Sequence, residues 1–384
     1  MGKFSDLLSR IKWRHYINYA VVGIVTLVFA IMSLTSGLPS STLYLLEKIA
    51  ISIMLAVSLS IVVGFLGELS LGHAGFMCIG AYIGGKLSAV ISDGLGNGAL
   101  TLVISIIVGG LCAALFGVII GLPALRLKGD YLAIVTLAFG EIVKTIFRNT
   151  SNESFGGTLG LATPRYNKNT LFIYAFLMVL ACLAVMQNII KSKHGRAITS
   201  IRDNEIAARA MGINVTKYKL IVFTISAFFA GVAGVFYSYS QFNVQSDKFG
   251  YNYSIEILVM VVLGGMGNIN GSILAAALIT YLNNKLASVL TGEMAVMQNL
   301  IYSLILVLIV IYNNAPGLRG FRDKYNLSTL TSKLRRKTSE HHEGEDSAQW
   351  ARIPTKIKMD EILSTDIIVK DTSKPDKRED GGKS

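Results

Sequence analysis

The sequence predicts an all-α polytopic membrane protein of about ten transmembrane segments. Three observations predict it. Of the 384 residues, 52% are hydrophobic and only 16% are charged. Uncharged runs of about 20 residues, the length that crosses a hydrocarbon core of about 30 Å, alternate with basic patches. Those patches fall mainly on alternate loops, which fits the excess of Lys and Arg on the cytoplasmic side of membrane proteins. The net charge of +12 is therefore no sign of nucleic-acid binding. The basic residues flank apolar spans, and aromatics are not interleaved with them.

Residues 1–15 read as an amphipathic segment. Phe4, Leu7, Leu8 and Ile11 recur at helical spacing, Arg10, Lys12 and Arg14 line the other side, and Trp13 and Tyr16 suit a headgroup layer. A cleaved signal peptide is the rival, but the long apolar run that follows has no clear small-x-small cleavage pattern and reads as an anchor. Apolar spans then cover 16–36, 43–66, 72–91, 99–121, 131–147, 171–190, 220–240, 254–265, 271–290 and 297–312. The run 254–265 is too short to cross alone, so it is a half-helix or is extended by its neighbours. With the N-terminus inside and one crossing per span, the inner loops 1–15, 122–130 and 191–219 hold 13 Lys and Arg. The outer loops 148–170 and 241–253 hold four. This bias favours ten spans with both ends cytoplasmic; eight spans with two re-entrant runs is the alternative. The membrane domain is 16–320. The tail 321–384, rich in Lys, Glu, Asp and Ser, is expected to have little fixed structure, with Ile357–Val369 as a transient amphipathic helix. Cys78, Cys112 and Cys182 lie inside apolar runs without a Cys-x-x-Cys pair, so neither a metal site nor a disulfide framework is indicated.

The loop 191–219 organises the rest. It carries seven Lys and Arg between two apolar runs and belongs on the cytoplasmic side. Ile201, Ile206, Met211 and Ile213 alternate with Arg202, Asp203, Glu205 and Arg209, so the spacing predicts one short surface helix, stopped at Gly212 and followed by Asn214. A solvated connector is the plainer alternative. The stretch RAITSIRDNEIAARAMGINVTKYKL resembles the cytoplasmic loop of M-type permease subunits in branched-chain amino acid ABC importers. The resemblance implies that the helix docks into a groove of a separate ATP-hydrolysing subunit. It assigns coupling to Arg202, Asp203, Asn204, Glu205, Ala207, Ala208 and Gly212. The importer signature of Glu-Ala-Ala, three residues, then Gly is kept by Ala207, Ala208 and Gly212, while Ile206 separates Glu205 from the alanines. The small face of Ala207, Ala208 and Ala210 suits close docking, and Gly212 lets the chain turn away.

Two further stretches break hydrophobic runs with glycines: GFLGELSLGHAG at 64–75 and LGGMGNINGS at 263–272. One lies in each half of the chain, the pattern of a transport path between candidate inverted repeats built from broken helices. Irregular backbone at membrane depth survives only where it is buried in protein or lines water. On that basis Gly72, His73, Gly267 and Asn268 are candidate path residues; two tight cytoplasmic turns are the equal alternative. GELSLGHAGFMCIGAYIGG, GDYLAIVTLAFGEIVKTIFRN, FGGTLGL and SIEILVMVVLGGMGNINGSILAAAL are similar to segments of the same permeases, and with the central loop they cover most of 60–290.

No catalytic centre emerges. Gly80 to Leu87 nearly matches a phosphate-binding loop, but Leu87 stands where Ser or Thr must hold magnesium, and Lys86 reads as snorkelling to the outer interface. The chain is therefore expected to bind no cofactor; ATP and magnesium belong to partner subunits. His73 has no ligand partner at useful spacing. Glu141 and Glu256 are ionisable groups inside spans. Either Glu141 pairs with Lys144 on one helix face and Glu256 is interfacial, or both help to receive an ammonium group at the outer mouth. The resemblance implies a permease of the bacterial or archaeal cytoplasmic membrane. Its implied partners are ATP-binding subunits, a second homologous permease, an extracytoplasmic solute-binding protein and lipid. Urea or short amides are alternative solutes, and a self-contained secondary transporter or channel is the alternative class.

Overall fold

The structure is a computed structural model. It describes residues 39–289 apart from positions 97, 128, 165 and 167, together with scattered residues of 22–32 and 303–311. The amphipathic segment 1–15 and the tail 321–384, with its expected helix Ile357–Val369, lie outside the described residues. Of the spans 16–36 and 297–312, only scattered helical residues are described.

Each of the eight intervening spans is a helix. They are α1 (Ser40–Ser60), α2 (His73–Leu95), α3 (Ala99–Ala124), α4 (Asp130–Asn149), α5 (Lys168–Lys191), α8 (Val215–Ser240), α9 (Tyr251–Gly264) and α10 (Ile269–Val289). The surface helices α6 (Lys193–Asp203) and α7 (Glu205–Ala210) lie between α5 and α8. Among the described residues, five helical segments are long and apolar enough to cross a membrane: Ser40–Leu66, His73–Ser92, Ala99–Ala124, Thr170–Lys191 and Val215–Ser240. Helix α4 is long enough but carries Asp130, Glu141, Lys144 and Arg148. Helix α9 has only 14 residues, as the short run at 254–265 foretold, and a 3-10 turn at Ser246–Phe249 precedes it.

Helix α8 is the centre of the bundle and packs most extensively on α3, α2 and α1. Lipid tails are as apolar as leucine, so helices in a bilayer gain by close backbone approach at small residues. A side chain at Gly80 in α2 would collide with the Gly231 carbonyl of α8, and one at Gly231 would collide with Ala113 of α3. Helix α3 is apolar all round but sorted by size. Gly109, Gly110, Ala113, Gly117 and Gly121 face the protein, while Leu100, Val103, Ile107, Leu111, Leu115 and Ile119 are exposed. That arrangement suits a hydrocarbon surround and no other solvent.

The two ends of the bundle differ. At one end lie α6, α7 and both glycine breaks. At the other, β1 (Leu161–Ala162) pairs antiparallel with β2 (Asn243–Val244), with Leu161 opposite Val244. The FGGTLGL stretch forms the turn into β1, and Gly156, Gly157 and Gly160 all adopt positive φ there. Lys86 Nζ donates to the Glu153 carbonyl at this same end, at 3.2 Å.

Candidate coupling and transport site

The loop 191–219 holds two helices rather than the single one expected across 201–211. Asn204 is extended, with φ −158° and ψ 104°, and divides α6 from α7. Its Oδ1 accepts from the backbone N–H of Ile206 and of Ala207, both at 3.0 Å. Asparagine competes for helix-terminal N–H groups, so it starts a new helix where the apolar spacing alone reads as continuous. Helix α7 ends in a Schellman motif: Ile213 N donates to Ala208 O at 3.1 Å and Gly212 N to Arg209 O at 3.0 Å. Gly212 sits at φ +81° with open space where a side chain would be. The turn exposes two large apolar side chains, Ile206 at 79% and Met211 at 82%, beside the exposed Arg209. Ala207 and Ala210 are exposed as well, but Ala208 is buried against the protein. The accessible surface therefore holds Ile206, Met211, two alanines and Arg209, not the three-alanine face that the spacing suggests.

Helix α7 is tied to the membrane helices by charge. The side chain of Lys219, at the start of α8, is only 3% exposed. Its Nζ pairs closely with Glu68 Oε1 and lies 3.2 Å from Glu205 Oε2. Glu205 Oε1 in turn accepts from Arg209 at 2.8 Å. An ammonium removed from water to this extent persists only when paired, and the two carboxylates supply the pairing. Glu68 lies in the first glycine break, so one buried lysine joins that break to α7. Arg202 makes a second link. Asp203 holds its guanidinium at 3.0 Å, and Nη1 donates to the Gly64 carbonyl at 3.1 Å.

Gly64 lies in the π-helical turn Ile61–Leu66 that ends α1. A side chain there would collide with the backbone N–H of Gly267, so the two glycine breaks meet each other directly. Gly72 and Gly267 are glycine for different reasons. Gly267 has φ +81°, whereas Gly72 has φ −93° and is pressed on α4, where a Cβ would lie 2.5 Å from the Thr136 carbonyl oxygen. Thr136 Oγ1 also accepts from Leu71 N at 3.0 Å. His73 is buried, with Nε2 2.8 Å from Ser58 Oγ. Asn268 is exposed and accepts from Gly271 N at 3.3 Å, at the start of α10.

The two span carboxylates lie at the opposite end and do not share a site. Glu141 takes Lys144 Nζ at 2.6 Å and the backbone N–H of Tyr251 at 2.8 Å, which fastens α4 to the first turn of α9. Glu256 takes Asn283 Nδ2 at 3.3 Å and lines a cavity of ≈ 370 Å³. Among the described residues no group of three or more His, Cys, Asp and Glu could hold a metal ion. Sequence reasoning passed over Glu68, Lys219 and Lys48. The available signal was an ionisable residue at or inside an apolar run, which is a functional candidate by default.

Residues 41–311 match the family described as "Branched-chain amino acid transport system / permease component". The chain is 37% identical over 261 residues to the "High-affinity branched-chain amino acid transport system permease protein LivM" of Salmonella typhimurium. It is 36% identical over 261 residues to the protein of the same name from Escherichia coli K12. Both matches cover 60% of this chain and 60% of the relative's length. The "Ribose import permease protein RbsC" of E. coli K12 is 24% identical over 285 residues, covering 70% of this chain and 84% of the relative, so the resemblance reaches sugar permeases as well. No solved structure matches the chain. An all-α chain of membrane-length helices, matched over 41–311, belongs to the branched-chain amino acid transport system permease component family.

Proposed function

We propose that the chain is the membrane-spanning subunit of an ATP-driven importer of branched-chain amino acids, driven by separate ATPase subunits through the loop 191–219. The observation that carries this is the form of that loop. Ile206 on helix α7 and Met211 just after it face outward, while Glu205, through Lys219 and Glu68, and Arg202, on the Gly64 carbonyl, reach back to the first glycine break. A solvated connector gives no account of exposed apolar residues on a short helix held by a buried ion pair. The coupling set is Arg202, Asp203, Asn204, Glu205, Ala207, Ala208 and Gly212, to which the geometry adds Glu68 and Lys219. In this reading the basic end is cytoplasmic, both termini are cytoplasmic, and ATP and magnesium are bound by the partners. A second homologous permease and an extracytoplasmic solute-binding protein complete the assembly.

Transport needs no covalent chemistry in this chain. Movement of the ATPases shifts α7. The Lys219–Glu68 pair and the Arg202–Gly64 bond pass that shift to the contact between Gly64 and Gly267. Gly72, His73, Gly267 and Asn268 then border the path on the inner side, and Glu256 lies on the outer side. The relatives named for branched-chain amino acids favour that solute class. The test is to purify the chain with its ATPases and measure ATP hydrolysis and uptake in proteoliposomes with and without leucine and the binding protein. Leucine-dependent hydrolysis and uptake are expected; uptake without any ATPase subunit would replace this reading with a secondary transporter.

A further inference from the structure

The corner where α5 turns into α6 is tightly built. Ser192 Oγ accepts from the backbone N–H of His194 at 3.1 Å and of Gly195 at 3.3 Å, which starts α6. A side chain at Gly195 would collide with the Ile190 carbonyl. His194 Nδ1 lies 3.3 Å from the Tyr218 hydroxyl, so the corner is fixed to the first turn of α8. Four exposed cations surround this joint: Lys191 at the end of α5, Lys193 and Arg196 in α6, and Lys217 in α8. None of them forms an ion pair among the described residues. The acids of the loop and the first break are held elsewhere, Glu68 and Glu205 by Lys219 and Asp203 by Arg202. At the same end of the bundle, Arg126 just past α3 adds an exposed cation and Asp130 at the start of α4 an exposed acid. Away from the corner the surface turns apolar. On α5 the exposed residues Leu177, Ala181, Val185, Asn188 and Lys191 recur at every third or fourth position, so they form one stripe that ends in the cation. On α8, Ile221 is 41% exposed and lies one turn from Lys217.

We propose that this corner binds an anionic phospholipid, with Lys191, Lys193 and Lys217 around the headgroup phosphate and an acyl chain along Leu177, Ala181 and Val185. The inference goes beyond the transport reading and stands without it. Basic residues at the end of a membrane helix attract anionic lipid, each Lys or Arg strengthening the binding by about fivefold. The phosphate supplies the negative charge that the described acids do not, and the tail covers the apolar part of the α5 stripe. A soluble anion meets the cations alone, and a zwitterionic lipid meets the stripe without net charge. An acidic surface of an ATPase subunit reaches the cations from water and leaves the stripe uncovered. The bound lipid fastens the corner from which α6 and α7 leave the membrane.

The experiment places the full chain in nanodiscs of phosphatidylcholine with rising fractions of phosphatidylglycerol. Native mass spectrometry then counts the lipids that stay bound on release. The chain is expected to keep phosphatidylglycerol in preference to phosphatidylcholine. Lys191→Gln, Lys193→Gln and Lys217→Gln are each expected to raise the phosphatidylglycerol fraction needed for half retention by about fivefold, and the triple variant by more than any one of them. The single variants carry the test if the triple variant fails to insert. Lys191→Arg, Lys193→Arg and Lys217→Arg together are expected to keep the parental value, which separates charge from fold. Lys285→Gln, at the opposite end of the bundle, is expected to change nothing. Equal retention of the two lipids, parental retention in the glutamine variants, or displacement of the lipid by millimolar inorganic phosphate overturns the site.

Discussion

Lys219 is the residue on which the loop's attachment turns. It is buried between Glu68, 151 positions before it, and Glu205, on α7. Breaking a buried pair by removing one partner is destabilising by about 3–5 kcal/mol, because the other charge stays behind unpaired. The side chains of Glu68 and Glu205 are partly accessible, so the lower end of that range applies here. Lys219→Met is therefore expected to lower the unfolding temperature of the purified protein by several degrees. The double variant Lys219→Met with Glu68→Gln is expected to recover part of that loss, because it leaves one buried carboxylate fewer. A thermal-shift double-mutant cycle reads the coupling, and additive losses would show that the pair does not act as a unit. Neither partner announces the other in the sequence. Both stand within the quoted motifs, but the pairing forms only when the first break and the start of α8 are folded together.

The coupling role proposed for helix α7 falls on side chains that are exposed. Ile206→Asp and Met211→Asp replace exposed apolar side chains, so insertion and thermal stability should change little. Association with the ATPase subunits should fall sharply, and uptake with it, measured by co-purification and leucine accumulation. Gly212→Pro acts on the same element by another route. Proline fixes φ near −65° and has no N–H, whereas Gly212 sits at φ +81° and donates to Arg209 O. Uptake at the parental rate in all three variants would remove α7 from the coupling path. The apolar spacing made this stretch legible as helix, and Gly212 was legible as its stop. The division at Asn204 was not, because a side-chain cap outweighed the periodicity.

For the whole molecule, the two glycine breaks come together although they are some 200 positions apart. Cysteine labelling tests whether that junction lies on the path. In a background lacking the native cysteines, Asn268→Cys should react with a thiol reagent from the basic-loop side, since Asn268 is exposed. His73→Cys should be inert in the resting state, since His73 is buried against Ser58. Turnover with ATP should make position 73 reactive. A position 73 that stays inert, with a position 268 that labels at one rate in every nucleotide state, would leave these breaks as turns between helices.

The sequence by itself determined the membrane class, the approximate place of each described span, the short α9 and the helix of loop 191–219 that stops at Gly212. Hydropathy, glycine position and the sign of charge are local properties, and a bilayer acts on them segment by segment. Tertiary structure decided which glycines touch, and that Glu141 fastens α4 to α9 while Glu256 lines a cavity together with Lys48. It also decided that Ala208 turns inward while Ile206 and Met211 face out. These are outcomes of how helices pack, and small-residue packing in a bilayer is set by backbone shape across the whole bundle rather than by any one segment's pattern.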